Sequence, residues 1–216
     1  IKLNYEIVGV LSNPSNQSIE NYALEHKLNH INSLRDYLNL KNVDIAISVQ
    51  YHKILKKSHI NKAKDLTINL HMAPLPEYRG CNQFSIAILE EKFFFGTTIH
   101  KIDKGIDSGD ILFESRFKIP KNCWIEDLYK LTFKKSLQLF KKSLPKVIQM
   151  NFNPISQKEL SKTRGSSIHY RKEINSLKKI NLSWNKNKIE KYVRALSMDG
   201  FTPPYFEIKG KKIFLK

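Results

Sequence analysis

Two short stretches of this chain carry the residue types that acid–base chemistry needs. The first runs Asn69-Leu-His71 and continues Met72-Ala-Pro74-Leu-Pro76-Glu-Tyr-Arg79-Gly80. Alternate side chains of a strand share a face, so Asn69 and His71 point one way and Leu70 the other. The second stretch, Gly105-Ile-Asp107-Ser-Gly-Asp110, is a turn-rich loop whose carboxylates can reach back to His71. A neutral His71 can take a proton from an attacking amine. The Asn69 amide can donate to a developing oxyanion, an effect worth roughly 3–4 kcal/mol in comparable sites. Asp107 can fix the imidazole tautomer and stabilise its protonated form. Together they suit acyl transfer to an amine, and no serine or cysteine nucleophile is required because the amine itself attacks. Taken singly, an Asn-x-His strand also reads as structural and an Asp/Gly cluster as a turn.

These residues must be held by the surrounding elements. Residues 5–11 and Val43–Val49 read as apolar strands, the latter suited to a sheet covered on both faces, and Leu66–His71 reads as another. Helical spacing follows Ser18 as an N-cap, covers Ile31–Leu40 and returns at Lys53–Ala63. Alternation of this kind predicts an α/β domain with a mainly parallel sheet, and His71 then falls at a strand's C-terminal end, where open sheets place ligands. From Thr97 to Pro120 the pattern predicts two β-strands joined by the polar second stretch. Trp124–Met150 reads as helical, broken or restarted at Pro145, with Leu128, Leu131, Leu137, Phe140 and Leu144 as its core face. Composition shifts to Ser, Lys and Asn after Pro154. We therefore expect a catalytic domain over 1–154 and a small subdomain over 155–216, ending in a hairpin that turns at Gly210. Ile1–Asn4 resembles the tail of a helix, so we expect an opening strand and helix of the domain to be missing.

Composition narrows the classes. With 41% hydrophobic residues a packed core can form, which argues against bulk disorder. No run approaches the ~18 apolar residues of a membrane span, and no signal-peptide pattern opens the chain. Cys81 and Cys123 make neither a disulfide framework nor a metal set, and a cytoplasmic setting is expected. The net charge of +17 invites a nucleic-acid partner. Lysine supplies nearly all of it and is spread along the whole chain, so compositional bias is the preferred explanation. His52, His59, His100 and His169 read as packing or surface residues, with His100 packed beneath the second stretch.

Taken together, Asn69–Gly80, Gly96-Thr-Thr-Ile-His100 and Gly105–Asp110 resemble the formyltransferases that use 10-formyltetrahydrofolate. The resemblance implies a Rossmann-like domain, with Asn69, His71 and Asp107 in the family's three catalytic positions. It further implies that Ser48, Gln50 and Tyr51 line the folate cleft near the pterin, with Asp110 also on the cofactor side. The run Cys81-Asn-Gln-Phe-Ser85, the short tail, and the stretches Ser166–Ile174 and Val193–Leu196 are similar to enzymes that formylate nucleotide-linked amino sugars. A dTDP-linked amino-dideoxy sugar is then the expected acceptor, 4-amino-4,6-dideoxyglucose ahead of its 3-amino isomer, in a surface-polysaccharide pathway. Asn82 and Gln83, beside Gly80, are expected on the sugar or its phosphates, and Lys53, Arg79 and Arg194 on the diphosphate. Lys53 reads equally as surface charge, and Arg194 as a helix cap. A homodimer through the C-terminal hairpin is implied as well. The alternatives are a methionyl-tRNA formyltransferase-like enzyme and a basic nucleic-acid-binding module.

Overall fold

The computed structural model describes residues 5–13 and 17–215. The first half contains β1 (Val10–Leu11), α1 (Gln17–Glu25), β2 (His30–Ile31), α2 (Leu34–Asn39), β3 (Ile45–Val49), α3 (Lys57–Ile60), β4 (Leu66–His71), β5 (Arg79–Gly80) and α4 (Gln83–Leu89). It continues with β6 (Phe94–Lys101), β7 (Ile111–Lys118), α5 (Ile125–Ile148), α6 (Gln157–Arg164), β8 (Ile168–His169), α7 (Glu173–Leu177), α8 (Lys186–Leu196), β9 (Tyr205–Ile208) and β10 (Lys211–Phe214). The expected α/β class holds, and parallel pairing joins β1 to β2, β3 to β4 and β5 to β8. The main sheet has the order β3-β4-β6-β7, and its β6 and β7 are antiparallel. The hairpin β9–β10 closes the described chain, turning through Lys209 (φ 46°) and Gly210 (φ 76°), left-handed conformations that a two-residue hairpin loop requires.

Strand β4 follows its sequence pattern. Leu66, Ile68 and Leu70 enter a cluster with Ile99, Leu112, Leu139 and Val147, which leaves Asn69 and His71 on the other face. A second cluster gathers Phe95, Tyr78, Ile86, Leu128, Ala195 and Leu196, so α8, well past residue 154, packs into the same core as the β6 sheet. Ile155 also bridges to Ile111.

Several local expectations change. β1 covers only two residues, and α1 opens at Gln17 rather than after Ser18. Ile31 is in a strand, and the helix behind it starts at Leu34, where the Ser33 hydroxyl caps the Asp36 amide. β3 is a sheet edge with Ile47 and Val49 exposed, so it is not covered on both faces. α3 is a single turn, because residues 50–55 turn aside to wall the cleft described below. Helix α5 passes through Pro145: a missing N–H in the last turn costs one hydrogen bond and does not end the helix. Its buried stripe is Ile125, Leu128, Thr132, Ser136, Leu139, Ser143 and Val147, and Leu137 points outward. Small side chains let α5 lie close against β6, where Ser136 Oγ donates to Thr97 Oγ1 at 2.7 Å. A leucine-rich face would have held the helix further off. The expectation about Ile1–Asn4 lies outside the described residues.

Candidate active site

The site is built across the sheet before it is built along the chain. Ser48 pairs with Asn69 on the neighbouring strand, and Asn69 pairs with His100 on the next. Residues paired across strands project from the same face, so these three form a row at the sheet's C-terminal edge. A bulge between Ile99 and His100 lies at this point, as bulges often do beside sites. His71, two residues beyond Asn69, is 6% exposed.

His71 Nε2 donates to the Tyr78 carbonyl at 2.8 Å, which leaves Nδ1 as the free lone pair. Nδ1 lies 3.7 Å from Asp107 Oδ2. The tautomer expected to be fixed by Asp107 is therefore fixed by a backbone carbonyl of the proline loop. Asp107 instead waits on the side where a proton would arrive. Burial pushes the His71 imidazolium down, against the upward pull of Asp107, and His100 adds to the lowering; the ring is neutral near pH 7. For Asp107, burial raises the carboxyl, but the His100 contact, the nearby His71 and the Gly80 amide outweigh it. They hold the group well below the usual carboxylate range.

Asp107 is held by an apparatus the sequence did not reveal. Its φ of 46° is left-handed, and Gln157, 1% exposed, donates to the carbonyls of Asp107 (2.9 Å) and Gly109 (2.7 Å). The Gly80 amide donates to Asp107 Oδ2 at 2.9 Å. His100 donates through Nδ1 to the Lys101 carbonyl at 2.8 Å, and its Nε2 lies 3.3 Å from Asn69 Nδ2 and 3.4 Å from Asp107 Oδ1. His100 is thus part of the constellation and not packing beneath it. The Asn69 amide faces His100 and, at 3.5 Å, Asp107 Oδ1. Both contacts are long, which leaves the amide hydrogens available to a substrate oxygen.

These residues open into a cleft of about 610 Å³, within the ~300–1,000 Å³ typical of ligand sites. Of the residues expected there, Ser48, Gln50, Tyr51, Lys53, Asn69, His71, Gly80, Gln83 and Asp107 line it. Four expected residues are placed elsewhere. Arg79 donates from Nε to Gln157 Oε1 at 3.1 Å, Arg194 donates to the Cys123 carbonyl at 3.3 Å, and Asn82 donates to the Tyr170 carbonyl at 2.9 Å. Asp110 uses its carbonyl to accept from the Lys101 amide and is not in the cleft wall. The lining also includes His169, Tyr170 and Arg171, which sequence reasoning had not given to the cleft. For His100 a signal existed: its strand parity relative to Asn69. For Gln157, a lone polar residue 50 positions from its partner Asp107, there was none.

Gly80 is the residue least open to change here. Its φ is +83°, and a Cβ would press on the His169 carbonyl oxygen of the paired strand β8. Gly80→Ala is expected to cost roughly 1–2 kcal/mol from backbone conformation alone. It should also lower kcat/KM at least about tenfold by moving the amide off Asp107. Thermal melting and steady-state kinetics of the same preparation check both halves.

The sequence matches the model of the formyl transferase family over residues 10–144, more than half of the chain. It is 29% identical to the bifunctional polymyxin resistance protein ArnA of Wigglesworthia glossinidia brevipalpis, covering 91% of this chain and 32% of that protein. It is 27% identical to a methionyl-tRNA formyltransferase of Clostridium tetani, covering 83% of this chain and 56% of that protein. The chain thus spans from a third to somewhat over half the length of these two curated relatives. Among solved structures, an N-formyltransferase from Helicobacter canadensis, in complex with folinic acid and dTDP-3-aminofucose, superposes with a TM-score of 0.78. The two are 26% identical over 95% of this chain and 75% of that one. No helix among the described residues is long and apolar enough to cross a membrane. The chain belongs to the formyl transferase family, whose one-carbon donor is 10-formyltetrahydrofolate.

Proposed function

We propose that this protein transfers a formyl group from 10-formyltetrahydrofolate to the amine of a nucleotide-linked amino-dideoxy sugar. dTDP-4-amino-4,6-dideoxyglucose is the first candidate, in the synthesis of a surface polysaccharide such as the O-antigen of lipopolysaccharide. One observation carries the reading: Asn69, a neutral His71 and an ionised Asp107 converge on one cleft, with His71 Nδ1 left free beside the carboxylate. The complex of the Helicobacter canadensis enzyme with folinic acid and dTDP-3-aminofucose supports the choice of ligands.

The cleft walls suit the folate. Ser48, Gln50 and Tyr51 supply a hydroxyl, an amide and an aromatic ring beside Asn69, matching a flat heterocycle edged with hydrogen-bonding groups. When bound, the folate supplies an activated formyl carbon on a nitrogen that can leave. The chain's residues do the rest. His71 Nδ1 accepts the proton that the amine sheds, and the resulting imidazolium gains an ion pair with Asp107. Asn69 turns its amide hydrogens from His100 and Asp107 towards the oxygen on which negative charge builds. Gln157 and Gly80 keep Asp107 in place meanwhile. The reading includes a homodimer through the hairpin, supported by the exposure of Ile208, Ile213 and Phe214, and a cytoplasmic setting.

An acceptor competition tests the choice of amine. Offered 10-formyltetrahydrofolate with dTDP-4-amino-4,6-dideoxyglucose, its 3-amino isomer and charged initiator tRNA, the protein is expected to formylate a sugar. Preferential, salt-sensitive formylation of the tRNA would replace the sugar reading with the tRNA one.

A further inference from the structure

The free lone pair on His71 Nδ1 depends on a choice that the ring does not make alone. A neutral imidazole carries its one proton on either nitrogen, and the neighbours decide which. Asp107 Oδ2, 3.7 Å from Nδ1, draws the proton to the side where it would block the base. The Tyr78 carbonyl, 2.8 Å from Nε2, draws it the other way and prevails by distance. His71 is buried, which keeps water from replacing that carbonyl. The position of one backbone oxygen therefore decides whether the ring can accept a proton at all.

That oxygen is aimed by side chains outside the cleft. Consecutive residues of the proline loop each reach a different element. Glu77 Oε1 meets Arg116 of β7 at 2.7 Å, the Tyr78 hydroxyl donates to Glu90 Oε2 at 2.7 Å, and Arg79 donates to Gln157 of α6. Glu77 and Arg79 flank the carbonyl, whereas Tyr78 owns it. The Tyr78 ring is packed among Phe95, Ile86 and Leu128, so its bond to Glu90 is made at the far end of a stiff lever. Glu90 is itself fixed to the end of α4, where its amide donates to the Ile86 carbonyl at 2.8 Å. Burial, and then the Glu90 carboxylate, push the Tyr78 phenol upward, so it stays a donor. The other charged or titratable groups around the pair are Glu77, Lys92, 3.6 Å from Glu90, and His169, whose ring centre is 6.3 Å from that of Tyr78. Neither Tyr78 nor Glu90 lines the cleft.

We propose that Glu90, through the Tyr78 hydroxyl, is a positioning residue for His71. It holds the Tyr78 carbonyl where that oxygen keeps the ring proton on Nε2 and the Nδ1 lone pair open. A half-exposed carboxylate at the end of α4 thus acts on a buried ring in the cleft without touching a ligand. Tight support of this kind is what a base needs when a competing acceptor lies on its reactive side. The proposal rests on the reading of His71 as the base for its effect on turnover, and on the geometry alone for its effect on the tautomer.

Nitrogen NMR of the full chain with isotope-labelled histidine reads the tautomer without any substrate, the His71 signals being assigned by their loss in His71→Ala. The parent should show Nε2 protonated and Nδ1 bare. Tyr78→Phe, which keeps the packed ring, and Glu90→Ala should each move a measurable share of His71 to the Nδ1-protonated form. Both should lower kcat about three- to tenfold with the acceptor KM nearly unchanged. Their acidic kcat/KM limb should move to lower pH, because the Tyr78 carbonyl raises the His71 pKa and a loosened contact raises it less. Asp107 and His100, the other groups that face the ring, are the same in every variant. Glu90→Gln still offers the hydroxyl an amide oxygen, so it should keep the parent's tautomer and stay within about twofold in kcat. A merely structural role would lower the melting temperature and leave both tautomer and acidic limb in place. The proposal is overturned if Tyr78→Phe and Glu90→Ala keep the parent's tautomer, whatever their turnover, or if Glu90→Gln behaves as Glu90→Ala does. A mixed tautomer with the parent's kcat overturns it as well. Should the parent formylate no amine, a tautomer that still follows Glu90 would leave the positioning role standing and remove only the formyl-transfer reading.

Discussion

Replacing His71 with alanine is expected to lower kcat by about 10²–10⁴-fold while the acceptor KM stays within a few-fold of the parent. The ring is nearly fully buried, its Nε2 proton is committed to the Tyr78 carbonyl, and its one free lone pair faces Asp107. Such a ring contributes little to holding a ligand and much to receiving a proton. A large rise in KM with kcat preserved would show that His71 binds substrate and does not serve as the base. Because burial lowers the His71 pKa below its ordinary 6.5, the neutral, active form should persist to somewhat below that pH. kcat/KM should therefore fall only as pH drops through the acidic range.

Asp107→Asn should produce the second large loss, between about a hundred- and a thousandfold in kcat. At roughly 4 Å and an effective dielectric near 20, a carboxylate and an imidazolium attract by about 4 kcal/mol, and that stabilisation develops only once His71 is protonated. The substitution also has a signed pH consequence. Asp107 raises the His71 pKa, opposing burial, so its neutralisation lets that pKa fall further. The acidic limb of the kcat/KM profile should move to lower pH in Asp107→Asn, with a much lower plateau. An acidic limb that moved upward, or a plateau near the parent's, would contradict the role given to the carboxylate. The asparagine retains the shape that Gly80 and Gln157 hold, so thermal stability should change far less than turnover.

The reacting groups were legible because strand periodicity and local motif speak about side chains close in sequence. Leu66-Thr-Ile-Asn-Leu-His alternates apolar and polar residues, and the structure buries Leu66, Ile68 and Leu70 together while Asn69 and His71 share the other face. The C-terminal hairpin was equally plain, since Lys209 and Gly210 must take left-handed angles that few residue pairs accept. What escaped depends on packing distance and on backbone groups. The face that α5 buries is decided by how closely the helix can approach Thr97, which favours Ser136 over Leu137. A count of apolar residues points the opposite way. The His71 tautomer is fixed by a carbonyl, and every residue has one. Arg79, Asn82 and Arg194 have the chemistry of phosphate or sugar ligands, yet each is occupied by a partner brought near only by tertiary folding: Gln157, Tyr170 and Cys123. Arg171, two residues beyond the paired strand, lines the cleft and has no such partner among the described residues.

The central claim is that a neutral His71, flanked by Asp107, accepts the proton of an amine that takes up a formyl group. It is tested most directly by isotope-labelled 10-formyltetrahydrofolate, the dTDP-linked amino sugars and mass spectrometry of the products, with parent and His71→Ala run side by side. The account predicts that the parent adds one labelled formyl group to a sugar amine and that His71→Ala adds almost none in the same time while still binding folinic acid. Equal labelling by both proteins, or no labelling of any amine by a parent that binds the folate, would contradict it.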